Sequence, residues 1–261
     1  MPTLGVALIT KNAAAHLADC LHAVAFADRI VVLDSGSSDD TLSIATAHGA
    51  HVERSADWPG FGPQKNRALA LLDTDWILAL DADEVVSPAL VAAIRATVAG
   101  DSGNVYTLRR HSNFCGTWVR HSGWYPDDVP RLFKRGSARY SDDLVHERLL
   151  FDGPAPILDG ELLHYSYDNY EQVLAKINQY STAGAQQRLA RGKSSGVAKA
   201  ALRGSWAFFR TYVLKRGFLD GGAGFAIAVM NAETTYYRFL KLGWLQAEQR
   251  AKSASVNTPE P

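Results

Sequence analysis

The chain has 261 residues, which is enough for one large domain with an appendage or for two domains. Lys and Arg total 27, and so do Asp and Glu, so the formal charge is zero; this argues against a protein that coats nucleic acid through bulk electrostatics. Two cysteines are too few for a disulfide framework and indicate a reducing compartment. Because we find neither a secretory signal nor an uncharged run near the roughly twenty residues that span a bilayer, we expect a cytoplasmic protein, free or peripheral on the inner face of the cytoplasmic membrane.

The first hundred residues alternate short apolar runs with amphipathic stretches. Ser37 and Ser38 are predicted to cap the second helix. Alternation at this spacing predicts an α/β fold, in which a mostly parallel sheet is flanked by helices. The predicted strands are 4–10, 29–34, 51–54 and 76–81, and the predicted helices are 13–26, 39–48, 64–72 and 88–98.

The second part of the chain first becomes rich in predicted strands and then helical. Strands are predicted at 105–109, 131–134 and 162–167, and helices at 169–191, 197–214 and 224–242. We therefore expect one domain over residues 1–167, with halves 1–100 and 101–167, followed by a helical region over 168–250 and a flexible tail over 251–261.

Polar residues follow three of the predicted strands, where each strand ends. Thr10 and Asn12 follow the first strand, Asp34 ends the second, and Asp81 and Asp83 end the fourth. In an open parallel sheet, ligands bind outside the carboxyl ends of the strands. Carboxylates at two strand ends suit a base and a ribose, and a further pair suits a divalent metal, so the pattern outlines a nucleotide diphosphate site.

The pair Asp81 and Asp83 carries the sharpest signal. Alternate carboxylates at the end of a strand can converge on one hard cation, whose other positions are filled by water and phosphate oxygens. Asp-x-Asp is also common in turns that end strands. Its place after a fully apolar strand, in a chain that also carries Asp34, favours the metal site.

Two neighbouring segments each allow two interpretations. Ser37 to Asp40 fit an ordinary capped helix start. Helix capping does not explain why the apolar strand before them ends in the carboxylate of Asp34. Lys65 and Arg67 lie at the start of a predicted helix, where the helix dipole disfavours cations. They either form a solvated charged turn or face the phosphates of a nucleotide.

These motifs together resemble family 2 glycosyltransferases of the GT-A fold. The residues that carry the resemblance are Thr10-Lys11-Asn12, Val32 to Asp39, Lys65 to Ala68 and Leu80 to Glu84. In the second half, Asp142 to Glu147, Leu163 to Tyr167 and Lys215 to Gly221 look like the lipopolysaccharide-core β-1,4-glucosyltransferase group. The resemblance implies an inverting transfer of a sugar, glucose in that group, from a UDP-sugar to a lipid-linked or core oligosaccharide, assisted by Mg²⁺ or Mn²⁺.

The resemblance also implies roles for single residues. Thr10, Asn12 and Asp34 would hold uridine, and Asp81 would lie near both the ribose and the metal. Lys65 and Arg67 are assigned to the nucleotide, and Asp81 with Asp83 to the metal.

A carboxylate must also take the proton of the acceptor hydroxyl. We assign this role to Glu147, with Asp143 as the second choice and Asp142 as a further candidate. His146 and Glu147 fit an alternating strand with outward polar residues equally well.

The acceptor side of the cleft is expected to include Trp124, Arg131 and His146. Aromatic faces beside hydrogen-bonding groups suit a sugar ring, although a tryptophan is more often part of a core. Arg131 either reaches the diphosphate or pairs with an Asp.

A basic segment lies between Arg188 and Leu219, with eight Lys or Arg residues and no acid. On a helix, Lys199, Arg203 and Arg210 share one stripe, and apolar residues form the adjacent one. This pattern fits a helix on an anionic membrane surface, and it equally fits a helix that packs its apolar stripe and leaves a solvated basic edge. Self-association through this segment is a third reading.

Other functions stay open at this point. The same fold could serve a non-catalytic protein that binds nucleotide sugars, or a glycosyltransferase acting on a different cell-envelope glycan. A nucleotidyltransferase would ordinarily need a glycine-rich loop after the first strand, and residues 10–15 contain no glycine. The neutral charge gives no reason to expect a nucleic-acid partner.

Overall fold

Apolar strands form the centre of the structure. The structure is a computed structural model that describes residues 1–142 and 147–256, without the side chains of 253–256. The strands β1 to β11 span Leu4–Thr10, Arg29–Asp34, His51–Arg54, Trp76–Asp81, Glu84–Val86, Val105–Phe114, Thr117–Trp118, Asp127–Lys134, Ala138–Tyr140, Leu149–Phe151 and Ile157–Tyr167. The helices α1 to α7 span Ala14–Ala23, Thr41–Ala47, Phe61–Ala70, Pro88–Gly100, Tyr170–Ala190, Val197–Phe209 and Gly221–Val256.

Contacts divide the chain into two compact units. The sheet unit consists of Met1–Ser112 and Pro126–Tyr165. The helical unit consists of Asn113–Tyr125 together with the chain from Ser166 onward. The short stretch Asn113–Tyr125 therefore belongs with the C-terminal helices, although it lies far from them in sequence.

The main sheet has the order β3-β2-β1-β4-β8-β6-β11-β5, with β7 beside β6. The strands β3, β2, β1 and β4 are parallel, and β8 joins β4 antiparallel. The α/β fold predicted from the sequence is confirmed. The parallel strands are those of the alternating first part. The β-rich second part extends the same sheet through β6, β7, β8 and β11, while β9 and β10 form a separate two-stranded antiparallel sheet.

The core explains why the first strands read as continuous apolar runs. In β1, Val6 and Leu8 belong to one buried cluster, which also contains Leu17 of α1 and Leu90 of α4. Ala7, between them, belongs to a second cluster with Ala68 of α3. Because helices cover both faces of the sheet, successive side chains of β1 are buried, except that Ile9 is half-buried.

The starts of α2, α3 and α7 differ from the prediction by two or three residues, and α7 begins at Gly221 instead of 224. α2 begins at Thr41 after Asp40, because Ser37 and Ser38, the predicted caps, bond elsewhere. α3 begins at Phe61, three residues before the predicted start at 64, directly after Gly60 with φ of 115°. Proline in the first turn is compatible with this earlier start, since its missing N–H lacks a partner there in any helix.

In the helical unit, α5 and α6 pack on α7. The side of α6 that faces α7 is built from small residues, and a Cβ on Gly204 would lie 3.0 Å from that of Tyr236. After α6 the chain makes a π-helical turn over Arg210–Leu214 and a 3-10 turn over Gly217–Asp220. Among the described residues, the helices include none that combines the length and the apolar character needed to cross a bilayer.

Candidate functional site

The carboxyl ends of β1, β2 and β4 lie side by side, because β1 is paired with both of the others. Thr10 is in register with Asp34, and Ile9 with Asp81. The sequence-predicted residues at these three strand ends are therefore brought together, at the edge where open parallel sheets bind ligands.

Asp34 organises the loop that follows β2. Its Oδ1 accepts hydrogen bonds from the backbone N–H groups of Gly36 and Ser37, each at 2.9 Å. Its Oδ2 accepts from the hydroxyl groups of Ser37 and Thr10. Burial alone would raise the pKa of Asp34, but these hydrogen bonds hold it below its ordinary value. The carboxylate is fully buried, so in this arrangement it shapes the loop and offers no surface to a ligand.

Asn12 ties the same loop to the end of β1. Its backbone N–H donates to Ser37 Oγ, and its Oδ1 accepts from the backbone N–H of Ser38, both at 2.8 Å. Asn12 has a φ of 52°, in the left-handed region that asparagine tolerates better than most residues. Unlike Asp34, Asn12 is exposed at the strand-end edge.

Asp81 is held between two buried cations. Lys65 Nζ lies 2.9 Å from Asp81 Oδ1, and the guanidinium of Arg131 binds Oδ2. Desolvation alone would raise the pKa of Asp81, but the charges of Arg131 and Lys65 hold it well below its usual range. Burial likewise favours the neutral form of Lys65, yet Asp81 outweighs this and raises the pKa of Lys65. The carboxylate is thus firmly ionised and committed to two protein cations.

The ion pairs continue along the sheet through Glu84. This fully buried carboxylate accepts from Arg131 at 2.7 Å and from Arg110 at 3.2 Å, and its other oxygen accepts from the backbone N–H of Asp81 at 2.9 Å. Arg110 in turn pairs with Asp127 at 2.7 Å. We call the connected set the charge network; it consists of Glu147, Lys65, Asp81, Arg131, Glu84, Arg110 and Asp127.

Glu147, the predicted base, lies at the open end of the charge network. Its Oε1 is 3.3 Å from Lys65 Nζ, and its side chain is 22% exposed. Lys65 therefore touches both Asp81 and Glu147. Asn66, the next residue of α3, bonds both the backbone N–H and the carbonyl of Tyr140, which anchors the chain shortly before Glu147. Asp143 and His146 lie outside the described residues.

Asp83 differs from Asp81 in its surroundings. Its side chain is 42% exposed, and its Oδ2 lies 3.6 Å from His164 Nε2. Ser112 Oγ is 3.0 Å from the other ring nitrogen of His164, which orients Nε2 toward Asp83. Asp83 and His164 thus form an accessible carboxylate and imidazole pair. The described residues contain no group of three or more His, Cys, Asp or Glu side chains arranged to hold a metal.

Of the remaining predicted site residues, Arg131 belongs to the charge network, whereas Arg67 and Trp124 do not. Arg67 is exposed and pairs through two nitrogens with Asp57, so it forms a charged surface turn. Arg131 pairs with Asp81 and Glu84 inside the sheet unit, which was the simpler of its two readings. Trp124 belongs to the helical unit, where its ring packs on Phe114 with a centroid distance of 5.7 Å.

Sequence reasoning missed His164 and Glu84 as members of the site. His164 stands in register with Glu84, because β11 pairs antiparallel with β5. The strand 162–167 was predicted, but its partner was not, and only the pairing brings His164 to Asp83. The signal available in the sequence was a histidine inside a predicted strand, which alone does not distinguish a ligand from a core residue.

Comparisons with known proteins agree with the motifs. The chain matches the family model described as glycosyl transferase family 2 over residues 6–150, more than half of its length. It is 30% identical over 273 residues to an uncharacterized glycosyltransferase of Rickettsia felis, a match covering 98% of this chain and 93% of that protein. It is 27% identical over 254 residues to the lipopolysaccharide core biosynthesis glycosyltransferase LpsC of Rhizobium meliloti, covering 90% and 92%. The resemblance stated from the motifs is confirmed.

A solved structure was also matched. Glucosyl-3-phosphoglycerate synthase from Mycobacterium tuberculosis, in complex with Mn²⁺, UDP and glucosyl-3-phosphoglycerate, is 25% identical over 43% of this chain and 44% of that chain. The TM-score is 0.36, which is too low to support an inference about this chain.

The two cations of α3 should differ sharply in their effect on stability. We expect Lys65→Met to lower the free energy of unfolding by about 2 kcal/mol or more, because it leaves two partly buried carboxylates without their shared cation. Arg67→Met, the matched control two residues away, removes an exposed ion pair and should change stability little. Urea denaturation measures both, and an equal loss in the two variants would contradict the charge network as described.

The lowered pKa of Asp34 predicts how its contribution to the free energy of unfolding depends on pH. Asp34→Asn keeps the side-chain shape but removes the charge, so we expect a loss of about 1 to 2 kcal/mol at neutral pH. Because the folded-state pKa is lowered, the contribution of Asp34 is complete above its ordinary pKa of 3.8 and is lost as the pH falls below that value. The stability gap between wild type and variant should therefore close on acidification.

Urea denaturation at a series of pH values tests this expectation. The exposed Asp40→Asn in the same loop is the control for a general effect of removing a negative charge. A gap for Asp34→Asn that stays constant down to about pH 3 would show that the charge of Asp34 does not stabilise the loop.

Proposed function

Because the chain belongs to glycosyl transferase family 2, we propose that it transfers a sugar from a UDP-sugar to a glycan of the cell envelope, with inversion at the anomeric carbon. Glucose as the sugar and a lipopolysaccharide-core oligosaccharide as the acceptor are the finer form of this proposal. The lipopolysaccharide role printed for LpsC supports that acceptor class. The second-half motifs that resemble core glucosyltransferases support the sugar.

The observation that carries the proposal is the accessible pair Asp83 and His164 beside the charge network. A divalent cation takes oxygen and imidazole ligands and fills its other positions with water and phosphate oxygens. One carboxylate and one imidazole suit a cation that a diphosphate helps to bind. The charge network contains four carboxylates and three cations, so its negative excess also favours a cation nearby.

This donor set modifies the metal pair predicted from the sequence. Asp83 keeps its predicted role, and His164 is added to it. Asp81 binds Lys65 and Arg131 instead of standing free, and we assign it to holding those cations in place and fixing the end of β4. When bound, Mg²⁺ or Mn²⁺ would supply charge stabilisation to the departing diphosphate.

The nucleotide would lie along the edge formed by Thr10, Asn12 and the loop of Asp34. Asn12 is exposed there, and the buried contacts of Asp34 keep the loop in one shape before a ligand arrives. A preformed loop lowers the entropy cost of binding. Asp34 thus acts on the nucleotide through Ser37 and the backbone of the loop.

In the proposed reaction, an acceptor hydroxyl oxygen forms a bond to the anomeric carbon. The bond from that carbon to the diphosphate oxygen breaks, and its electron pair leaves with UDP. The acceptor proton passes to the carboxylate of Glu147. Lys65 fixes this carboxylate relative to Asp81, so one buried ammonium aligns the base with the nucleotide side of the site.

Glu147→Gln tests the assignment of the base. We expect turnover to fall by about 100-fold or more, because the amide cannot take a proton, whereas UDP affinity should stay near that of wild type. Asp142→Asn removes a rival candidate for the base, an exposed acid five residues earlier, and should keep its activity if Glu147 is the base. The assay is UDP release across nucleotide sugars with a truncated core oligosaccharide as acceptor; rapid turnover by Glu147→Gln would remove Glu147 from this role.

Asp83→Ala and His164→Gln test the cation site. We expect both to weaken the Mn²⁺-dependent binding of UDP by about tenfold or more, as measured by calorimetry with Mn²⁺ and with a chelator. Asp57→Asn, an exposed carboxylate in the same unit, is the control. Equal UDP affinity of the wild type with and without Mn²⁺ would exclude the proposed cation site.

A further inference from the structure

The helix α6 presents two different faces. Ala200 and Gly204 are buried and form the side that packs on α7. On the opposite side, Leu202, Trp206 and Phe209 are 71%, 51% and 44% exposed. At 100° per residue these three lie about half a turn away from the buried pair. The apolar stripe noted in the sequence is therefore directed away from α7 and is exposed.

The exposed apolar surface continues beyond α6. Leu214, Phe218 and Leu219, in the two turns after the helix, are 56%, 50% and 54% exposed. We call the whole set the apolar stripe; it consists of Leu202, Trp206, Phe209, Val213, Leu214, Phe218 and Leu219. A contiguous run of large apolar side chains of this size on a folded protein marks an interaction surface.

The segment that carries the apolar stripe, residues 199–219, contains basic residues and no acid. Lys199, Arg203, Arg210, Lys215 and Arg216 are all exposed. The first acid after this segment, Asp220, has a side chain that is only 5% exposed, and it accepts hydrogen bonds from the backbone N–H groups of Arg120 and His121. That carboxylate is held inside the helical unit and does not cancel the basic surface.

The stripe rests on a packed support. Phe208 and Tyr212, on the inner side of the same segment, each contact Phe225 of α7 with ring centroids 5.6 Å apart. The exposed side chains are therefore carried by an already folded helix pair, and presenting them requires no folding of a disordered segment on contact.

We propose that the apolar stripe and its basic border form a docking surface for an anionic lipid bilayer. Tryptophan, phenylalanine and leucine insert at the boundary between head groups and acyl chains, while neighbouring Lys and Arg bind lipid phosphates. In this arrangement the helix lies in the plane of the interface. The surface belongs to the helical unit alone and does not depend on the function proposed for the sheet unit.

The positive charge of the border favours an anionic bilayer over a second copy of the chain as the binding partner. In a two-fold contact the same patch meets itself, so the basic border of one copy would face that of the other. Like charges at close range oppose such a contact. An anionic bilayer supplies both the apolar layer and the opposite charge.

Co-sedimentation of the full chain with vesicles tests the proposal. We expect binding to vesicles of phosphatidylcholine mixed with phosphatidylglycerol, weaker binding at high salt, and little binding to phosphatidylcholine alone. The double variants Trp206→Gln/Phe209→Gln and Arg210→Glu/Arg216→Glu should each weaken binding by more than about tenfold.

Two double variants are matched controls. Trp58→Gln/Phe61→Gln changes an exposed pair of the same residue types at the same spacing, in the sheet unit. Arg135→Glu/Arg139→Glu changes the net charge by the same amount at exposed positions of that unit. Both controls should bind like wild type, and thermal melting followed by circular dichroism verifies that every variant is folded.

Three results would overturn the proposal. They are equal binding to neutral and anionic vesicles, equal losses in the stripe variants and their controls, and a wild-type dimer in sedimentation equilibrium that Trp206→Gln/Phe209→Gln converts to monomer. None of these measurements uses transferase activity. Failure of the docking surface and failure of the proposed reaction are therefore distinguishable.

Discussion

The ionised carboxylate of Asp81, fixed by Lys65 on one oxygen and Arg131 on the other, is the interaction on which the arrangement of the sheet unit depends. Asp81 ends a central strand, Lys65 comes from α3, and Arg131 comes from an antiparallel neighbour strand. A buried charge is tolerated only when it is paired. The ion pairs of Asp81 therefore fix the end of its strand, α3 and the strand of Arg131 relative to one another. Removing Lys65 leaves Glu147 without a cation and Asp81 with Arg131 alone, which costs more than the intact pairs contribute.

The same interaction divides the work between the two acids of the Asp-x-Asp motif. Asp81 meets cations of the protein and is committed to them. Asp83, two residues later, is more exposed and faces an imidazole. The sequence-based prediction treats both acids as ligands of one metal, whereas here Asp81 is bound by two protein cations, and in our proposal only Asp83 meets the metal.

How much could be predicted from the sequence depended on the range of the interaction. The first four strands were predicted with the bounds observed. Three of them, β1, β2 and β4, are largely buried apolar runs, which are readily located in a sequence, whereas β3 is mostly exposed. The convergence of Thr10, Asp34 and Asp81 followed from parallel order alone. The burial of Asp34 did not, since it depends on Ser37 bonding to the carboxylate instead of capping the helix. His164 joins Asp83 through an antiparallel pairing of distant segments, and no local pattern specifies such a partner.

The apolar stripe of α6 shows a further limit of periodicity. A helix with large apolar residues on one side is normally assumed to bury that side. Here α6 packs on α7 through Ala200 and Gly204, because short side chains allow the two helices a close approach, with Gly204 near Tyr236. The large apolar residues of α6 are therefore exposed, and only a separate binding partner can bury them. The sequence pattern identifies an amphipathic helix, but which of its two faces is internal is decided by how closely the neighbouring helix can come.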